Sequence, residues 1–147
     1  MLIAITSFDG PNRFLSNFYE HRMVSPVDDL EYPSSEHAYQ AAKTIHSDQK
    51  YEIQAAPGPG AAKRLGRHVE LRPGWEQIKD DCMRRIVRAK FSDPSLRSVL
   101  LQTGDAFLIE GNTWGDKYWG CINIFGGWHG QNRLGQILME IRKELRS

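Results

Sequence analysis

Residues 75–91, WEQIKDDCMRRIVRAKF, carry the strongest periodic pattern in the chain. Their apolar side chains recur at spacings of three and four residues, which is the period of an α-helix that buries one face. A helix of this kind gains most of its stability from packing against other elements, so the pattern predicts a globular, helix-rich core. The apolar positions are Trp75, Ile78, Cys82, Met83, Ile86 and Val87.

Weaker signals on both sides of this stretch predict further short elements. Pro33, Ser34 and Ser35 form a helix-start signal, and residues 57–60 (PGPG) break the chain after a second helix. The fold class predicted is mainly α (α+β), a single multihelical domain over residues 1–147 with a few short β-strands. The predicted helices are 36–45, 48–55, 61–65, 75–91, one capped by Asp93 and ending near Gly104, and one from Asn132 onward; the predicted strands are 2–6, 22–25 and 106–109.

Composition excludes several classes of protein. The chain has 147 residues, 40% of them hydrophobic, which suits one domain with one core. Its 19 basic and 18 acidic residues nearly balance, so no overall charge argues for binding DNA or a membrane. The two cysteines and five histidines show no metal-ligand spacing. The apolar run at residues 2–5 is too short for the hydrophobic part of a signal sequence or for a membrane span. We expect a cytoplasmic protein without metal or cofactor.

Basic and acidic residues are distributed unevenly along the chain. Residues 63–90 hold nine basic and four acidic side chains. This segment could face a phosphate group, or it could be a solvated helix surface on which opposite charges pair at a spacing of four residues.

The predicted first helix carries a carboxylate, an amide and an amine on one face. Glu36, Gln40 and Lys43 are spaced by four and three residues, so their side chains project in the same direction. This arrangement suits acid–base or nucleophilic chemistry. The alternative is a Glu36 that only stabilises the helix N-terminus and a Lys43 that only meets solvent.

A long loop is predicted over residues 111–131, with six glycines and three tryptophans. Trp114 and Trp119 could stack on a base, with the carboxylate of Asp116 between them, or the tryptophans could simply anchor the loop. Asn132 and Arg133 follow at the start of the last helix, where an anion could bind; alternatively, Asn132 is a plain N-cap.

Six blocks of sequence resemble the NADAR family in the same order. They are 14–18 (FLSNF), 32–43 (YPSSEHAYQAAK), 61–67, 75–91, 110–120 (EGNTWGDKYWG), and 132–135 (NRLG) with 138–140. The resemblance implies a mostly helical fold with small β elements. It also implies an N-glycosidase, because the family includes enzymes that split ribosylamino-pyrimidinone 5′-phosphates of the early riboflavin pathway and enzymes that remove ADP-ribose from guanine in nucleic acid.

The resemblance also implies roles for particular residues. Glu36 matches the key glutamate of the family, and Lys43 matches a lysine implicated as a Schiff-base nucleophile; Trp75 and Asp116 match further functional positions. Contacts with the substrate are expected from Asn17, Phe18, Tyr39, Gln40, Trp114, Trp119, Asn132 and Arg133. The expected partner is a small ribose-phosphate substrate or ADP-ribosylated nucleic acid, and the oligomeric state is left open.

Two other classes of function compete with the enzyme. A module that binds ADP-ribose or a nucleotide without cleaving it would keep the tryptophans and basic residues but would not need Glu36 and Lys43 on one face. A nucleic-acid-binding protein would use the basic segment and lose affinity steeply with salt. The acid–amine pair favours the enzyme.

Overall fold

The computed structural model describes residues 3–147, which form two compact units. One unit comprises residues 17–92, and the other comprises 3–16 together with 93–147. The predicted class, mainly helical with short strands, is confirmed, whereas the single domain over 1–147 stays a prediction. In chain order the elements are β1 (Ala4–Ile5), a 3₁₀ helix (Gly10–Leu15), β2 (Met23–Val24), β3 (Glu31–Tyr32), α1 (Ser35–Ala42), α2 (Ser47–Gln54), α3 (Pro59–Gly66), α4 (Trp75–Lys90), α5 (Pro94–Gln102), β4 (Phe107–Leu108), β5 (Ile122–Ile124), β6 (Gly127–His129) and α6 (Arg133–Leu145).

The unit of residues 17–92 is built around α1, which packs against α2, α3 and α4. Every residue of α1 is buried, which explains its three alanines: small side chains let the neighbouring helices approach. Ser34 caps the helix, since its Oγ accepts a hydrogen bond from the backbone N–H of His37 at 3.2 Å. The pattern Pro33-Ser34-Ser35 therefore predicted the start of α1 correctly to within one residue.

The helix predicted over 75–91 is α4, and its apolar face is buried as expected. Trp75, Met83 and Ile86 are each at most 5% exposed. Burial of side chains of this size stabilises the fold by roughly 1.5–3 kcal/mol each. The antiparallel pair β2–β3 completes this unit, with Met23 opposite Tyr32.

In the other unit, α6 packs against α5 and β4. Its buried face includes Leu134, Ile137, Leu138 and Ile141, as its spacing predicts. Strand β1 pairs with β4 in parallel, with Ala4 opposite Phe107. The predicted strand 2–6 is shorter in the structure, and its first residue lies outside the described part of the chain.

The prediction of one continuous loop over 111–131 is wrong, because β5 and β6 form an antiparallel hairpin there. Phe125 and Gly126 make the turn with φ angles of 50° and 84°. Positive φ at both central residues is the signature of a type I′ turn, usually supplied by Asn-Gly. A phenylalanine at the first position hides this signal in the sequence. Among the helices of residues 3–147, none is long and apolar enough to cross a bilayer.

Candidate active site

Glu36 is a buried carboxylate in the first turn of α1. Glu36 is only 6% exposed, and its Oε1 accepts a hydrogen bond from Gln40 Nε2 at 3.1 Å. Its backbone N–H donates to the carbonyl oxygen of Asn17 at 3.1 Å. The spacing of four residues that the sequence shows for Glu36 and Gln40 is therefore a direct contact, one helical turn apart.

Asn17 fixes the N-terminal end of α1. Its Oδ1 accepts a hydrogen bond from Ser35 Oγ at 2.9 Å, and its Nδ2 points to Met83 Sδ at 3.3 Å. The residue is 7% exposed, so both polar atoms of its side chain serve the protein interior. These bonds tie Asn17 to the first turn of α1, whereas its predicted contact with the substrate stays a prediction.

Lys43 is the C-cap residue of α1, two turns beyond Glu36. Partial burial lowers the pKa of its amine, the carboxylate of Glu36 raises that pKa, and the cations Lys63, Arg67 and Lys79 lower it further. The net effect is a pKa below the ordinary lysine value. A lysine of this kind has a larger fraction of neutral, nucleophilic amine at neutral pH.

Arg72 holds the C-terminal end of α1 in place. Its backbone N–H donates to the carbonyl oxygen of Lys43 at 2.6 Å, and its Nε donates to that of Ala42 at 2.8 Å. A further bond from its guanidinium reaches the carbonyl oxygen of Thr44 at 3.3 Å. Helix ends leave such carbonyls without partners inside the helix, so Arg72 satisfies them and fixes the backbone of Lys43.

Aromatic rings lie beside the amine of Lys43 and beside that of Lys63. The ring of Tyr39 lies 5.5 Å from that of Trp75, centroid to centroid, and the Lys43 Nζ lies 5.7 Å from the centre of the Tyr39 ring. Phe18 is 41% exposed, and Lys63 Nζ lies 5.9 Å from its ring centre. The unit of residues 17–92 thus brings together seven of the predicted site residues: Asn17, Phe18, Glu36, Tyr39, Gln40, Lys43 and Trp75.

The remaining five predicted site residues belong to the other unit. Asp116 organises its loop, because its Oδ1 accepts hydrogen bonds from the backbone N–H groups of Tyr118 and Trp119, both at 2.9 Å. Trp119 makes an edge-to-face contact with Tyr118, whereas Trp114 is 65% exposed. The catalytic role of Asp116 and the stacking roles of the two tryptophans stay predictions.

Asn132 connects two backbone segments of this unit. Its Nδ2 donates to the carbonyl oxygen of Leu108 at 2.9 Å, and its Oδ1 accepts from the N–H of Glu110 at 3.0 Å. Asn132 stands at the N-cap position of α6 but has a φ of 53° and makes no side-chain cap bond, so its interpretation as a plain N-cap is wrong. Arg133, next to it, is half-buried, and its contact with substrate stays a prediction.

Sequence reasoning missed the groups that support Glu36 and Lys43. Gly66 lies in the block 61–67 and Arg72 in the basic segment 63–90, but neither residue was assigned a role, since their contacts with α1 exist only in the fold. Lys63, Arg67 and Lys79 lie in the basic segment 63–90, whose excess of positive charge did indicate a possible contact with phosphate, but nothing in the sequence placed them near Lys43.

Comparison with known proteins identifies the family. A family model described as the NADAR domain matches residues 6–146. The N-glycosidase YbiA of Shigella boydii is 42% identical over 122 residues, which cover 81% of this chain and 74% of that protein. The riboflavin biosynthesis protein PYRR of Zea mays, chloroplastic, is 35% identical over 148 residues, covering 88% of this chain and 23% of that longer protein.

A solved structure agrees with these matches. The NMR structure of the E. coli protein YbiA superposes with a TM-score of 0.82 at 38% identity, over 99% of this chain and 85% of that one. The chain therefore belongs to the NADAR domain family and, like its N-glycosidase relatives, is a hydrolase that acts on N-glycosyl bonds.

Proposed function

We propose that this N-glycosidase cleaves the bond between a nitrogen base and C1′ of a phosphorylated ribose, with Glu36 as acid–base group and Lys43 as nucleophile. The observation that carries the proposal is the arrangement on α1. A buried carboxylate, held by Gln40, acts electrostatically on an amine whose pKa is lowered. A protein that only bound nucleotides would have no need of such a pair.

The chemistry of the bond explains why both groups are required. As the bond from C1′ to the base breaks, positive charge builds on C1′ and O4′, and the base leaves with the electron pair. The ionised carboxylate of Glu36 stabilises the positive centre and takes up the proton that Nζ loses as it attacks; the carboxylic acid so formed then delivers the proton that the leaving base needs. The rings of Tyr39 and Trp75, 5.5 Å apart, are proposed to keep water away from the reacting bond, which would strengthen these interactions.

Lys43 supplies a covalent route. Its neutral Nζ attacks C1′, the bond to the base breaks, and the base takes a proton from the acid. The sugar ring then opens with a proton delivered to O4′, which leaves an imine between Nζ and C1′. Water hydrolyses the imine and returns the free sugar and the free amine.

For the leaving base we favour a pyrimidine intermediate of riboflavin synthesis over guanine. The support is a relative that is named a riboflavin biosynthesis protein. Trp114 and Trp119 are proposed to hold the base, because their rings can stack on it, and Arg133 at the start of α6 is proposed to bind a phosphate oxygen. With Arg133→Ala we expect mainly a higher KM.

The test is a parallel incubation of the purified protein with a ribosylamino-pyrimidinone 5′-phosphate and with ADP-ribosylated guanine in DNA, with products identified by mass. We expect free pyrimidine and ribose 5-phosphate from the first substrate. If only the second substrate reacts and releases ADP-ribose, guanine and not the pyrimidine is the leaving base. No product from either would leave a binding module as the better account.

The roles on α1 are tested by Glu36→Gln and Lys43→Ala, each of which should lower kcat by roughly a hundredfold or more. The matched control is Glu52→Gln, an exposed acid on α2, which should keep normal turnover. Reduction with borohydride during turnover should attach the sugar to the wild-type protein and not to Lys43→Ala. Near-normal kcat in both α1 variants would contradict the mechanism.

A further inference from the structure

We propose that Lys50 is a positioning residue for the reaction: from α2 it holds the last turn of α1 and so sets where Lys43 presents its amine. The proposal rests on the proposed function, in which Lys43 is the nucleophile. Neither the sequence patterns nor the family resemblance indicated a role for Lys50. The contacts that carry the proposal all lie within the unit of residues 17–92.

The end of α1 is bonded from outside the helix. Carbonyl oxygens in the last turn of a helix have no helical N–H group four residues further on to bond. Lys50 Nζ donates to the carbonyl oxygen of Ala41 at 3.0 Å, and Arg72 donates to the carbonyl oxygens of the next three residues. Four consecutive carbonyl oxygens around Lys43 therefore have donors from two cationic residues, and positive charge at a helix C-terminus is favourable.

Lys50 is itself held by a buried carboxylate. Its Nζ lies 2.9 Å from Asp28 Oδ2, and the two side chains are 9% and 11% exposed. The same Oδ2 accepts a hydrogen bond from the hydroxyl of Tyr32 at 2.6 Å, and Tyr32 is fully buried. Asp28 Oδ1 accepts from the backbone N–H of Leu30 at 3.0 Å. Both oxygens of Asp28 thus have partners, and together they keep the ammonium of Lys50 in one place beside Ala41.

Stability alone is a weak reason for such a pair. Taking a lysine and an aspartate out of water is costly, and apolar residues of similar volume often give equal or greater stability at such positions. A buried ion pair can instead fix one conformation, since each charge must keep its partner. The conformation that the pair of Lys50 and Asp28 fixes is the end of the helix that carries Lys43.

The placement of the Lys43 amine matters because attack on C1′ requires close alignment. A displacement of about 1 Å can cost on the order of a hundredfold in rate. Lys43 is the C-cap residue of α1, and helix ends fray more easily than helix interiors. Glu36 lies in the first turn of the same buried helix, whereas Lys43 depends on the donors that Lys50 and Arg72 supply.

The experiment compares variants of the full chain. Lys50→Met removes the charge and the bond to Ala41 at similar volume, and it is combined with Asp28→Asn so that no unpaired charge stays buried. Lys50→Arg keeps a charged donor and is the conservative variant. Arg142→Met is the matched control, because Arg142 is another buried cation, 5% exposed, whose side chain bonds Thr103 in the other unit.

In the double variant we expect kcat to fall about tenfold, with KM within twofold of wild type, because the amine is misplaced while the substrate still binds. Borohydride should trap the sugar on Lys43 more slowly by the same factor. Lys50→Arg should recover kcat to within about threefold of wild type, and Arg142→Met should lower the unfolding temperature while kcat stays normal. A double variant that folds and keeps wild-type kcat would overturn the role of Lys50.

Chemical labelling separates this proposal from the proposed function. Acetic anhydride modifies the neutral amine of a lysine, and peptide mass spectrometry gives its rate at Lys43 as a function of pH. In the double variant we expect the midpoint to move to higher pH, because a displaced amine is less buried. The other charges that act on this amine, those of Glu36, Lys63, Arg67 and Lys79, are the same in both proteins.

The outcomes of labelling and turnover are distinguishable. A shifted midpoint in a protein whose Lys43→Ala variant keeps full kcat would confirm that Lys50 positions Lys43 and would refute Lys43 as the nucleophile. An unchanged midpoint in the folded double variant would overturn the positioning role, even if the protein cleaves its substrate.

Discussion

The side chain of Gln40 fills the space that a Cβ atom at Gly66 would occupy. A Cβ built there would come within 2.7 Å of Gln40 Cδ and closer still to Gln40 Oε1. Gln40 is 3% exposed and holds Glu36 through its Nε2, while its Oε1 finds no hydrogen-bond partner among residues 3–147. The absence of a side chain at Gly66 on α3 is thus what allows Gln40 on α1 to reach the carboxylate.

Gly66→Ala should therefore impair the site from a distance. The added methyl group displaces Gln40, and Glu36 loses its hydrogen bond, so we expect kcat to fall about tenfold or more. The variant should also unfold at a lower temperature, because overpacking costs about 1–3 kcal/mol. Steady-state kinetics and thermal unfolding measure the two effects.

The same helix provides the control. A Cβ at Gly60 would meet only the end of the Arg64 side chain, at the ordinary distance of 3.6 Å. Gly60→Ala should keep wild-type kcat and stability, or gain stability slightly. If Gly66→Ala retained full activity while Gln40→Ala lost it, the steric link between Gly66 and Gln40 would be refuted.

The general outline of α1 could be predicted from the sequence, but the contacts that hold its Glu36 and Gln40 side chains in place could not. Ser34 as a cap and the spacing of Glu36, Gln40 and Lys43 follow from helix geometry alone, and the structure confirms that Glu36 and Gln40 touch. Gly66 on α3 makes room for Gln40 on α1, and no local sequence pattern shows which helices pack against each other.

In the unit of residues 3–16 and 93–147, the conformation of Asn132 could not be predicted from the sequence. Asn132 was predicted either to lie in an anion site at the start of the last helix or to cap that helix. The structure contradicts only the cap, because the backbone of Asn132 is left-handed and its side-chain amide bonds Leu108 and Glu110; the contact with substrate stays a prediction. Backbone conformation of a single residue is decided by its tertiary surroundings, so this outcome lay beyond sequence reasoning.

The charges around Lys43 predict how activity depends on pH. Its pKa is lowered from 10.5, so kcat/KM should rise with pH as the amine loses its proton, with a midpoint below the usual lysine range. Glu36 raises that pKa, hence Glu36→Gln should move the rise in residual activity to lower pH. Lys63→Gln removes a neighbouring cation and should move it to higher pH. The rate of borohydride trapping, measured from pH 5 to 10, follows the amine directly; identical midpoints in all three proteins would contradict this electrostatic coupling.

A second lysine should affect stability rather than catalysis. Lys90 is 1% exposed, its Nζ lies 5.7 Å and 5.2 Å from the ring centres of Tyr19 and Phe91, and burial lowers its pKa to about 7. In the unfolded chain the pKa is near 10.5, so between these values the unfolded state binds a proton that the folded state does not. Lys90 therefore does not reduce the free energy of unfolding above pH 10.5, and its destabilising effect grows as pH falls toward 7.

Lys90→Met isolates this effect. Methionine fills a similar volume and carries no charge, so the variant should be more stable than wild type at pH 7, and the gap should shrink as pH rises toward 10. Urea unfolding at several pH values measures the gap. Lys143→Met, at an exposed position of α6, should show no such trend. A gap for Lys90→Met that does not change with pH would mean that Lys90 stays charged in the folded protein.

Asn132 should prove structural when it is replaced. Asn132→Ala leaves the buried carbonyl of Leu108 and the N–H of Glu110 without their side-chain partner, and it places alanine at a φ of 53°, so the free energy of unfolding should fall by about 1–3 kcal/mol. Asn123→Ala is the control, because Asn123 makes its side-chain bond to Gly126 at the exposed hairpin turn, where water can substitute. We expect it to lose less than half as much. If Asn132→Ala unfolded like wild type but raised KM, the earlier expectation of a substrate contact would be the better account, since the two backbone bonds would then contribute nothing measurable to the fold.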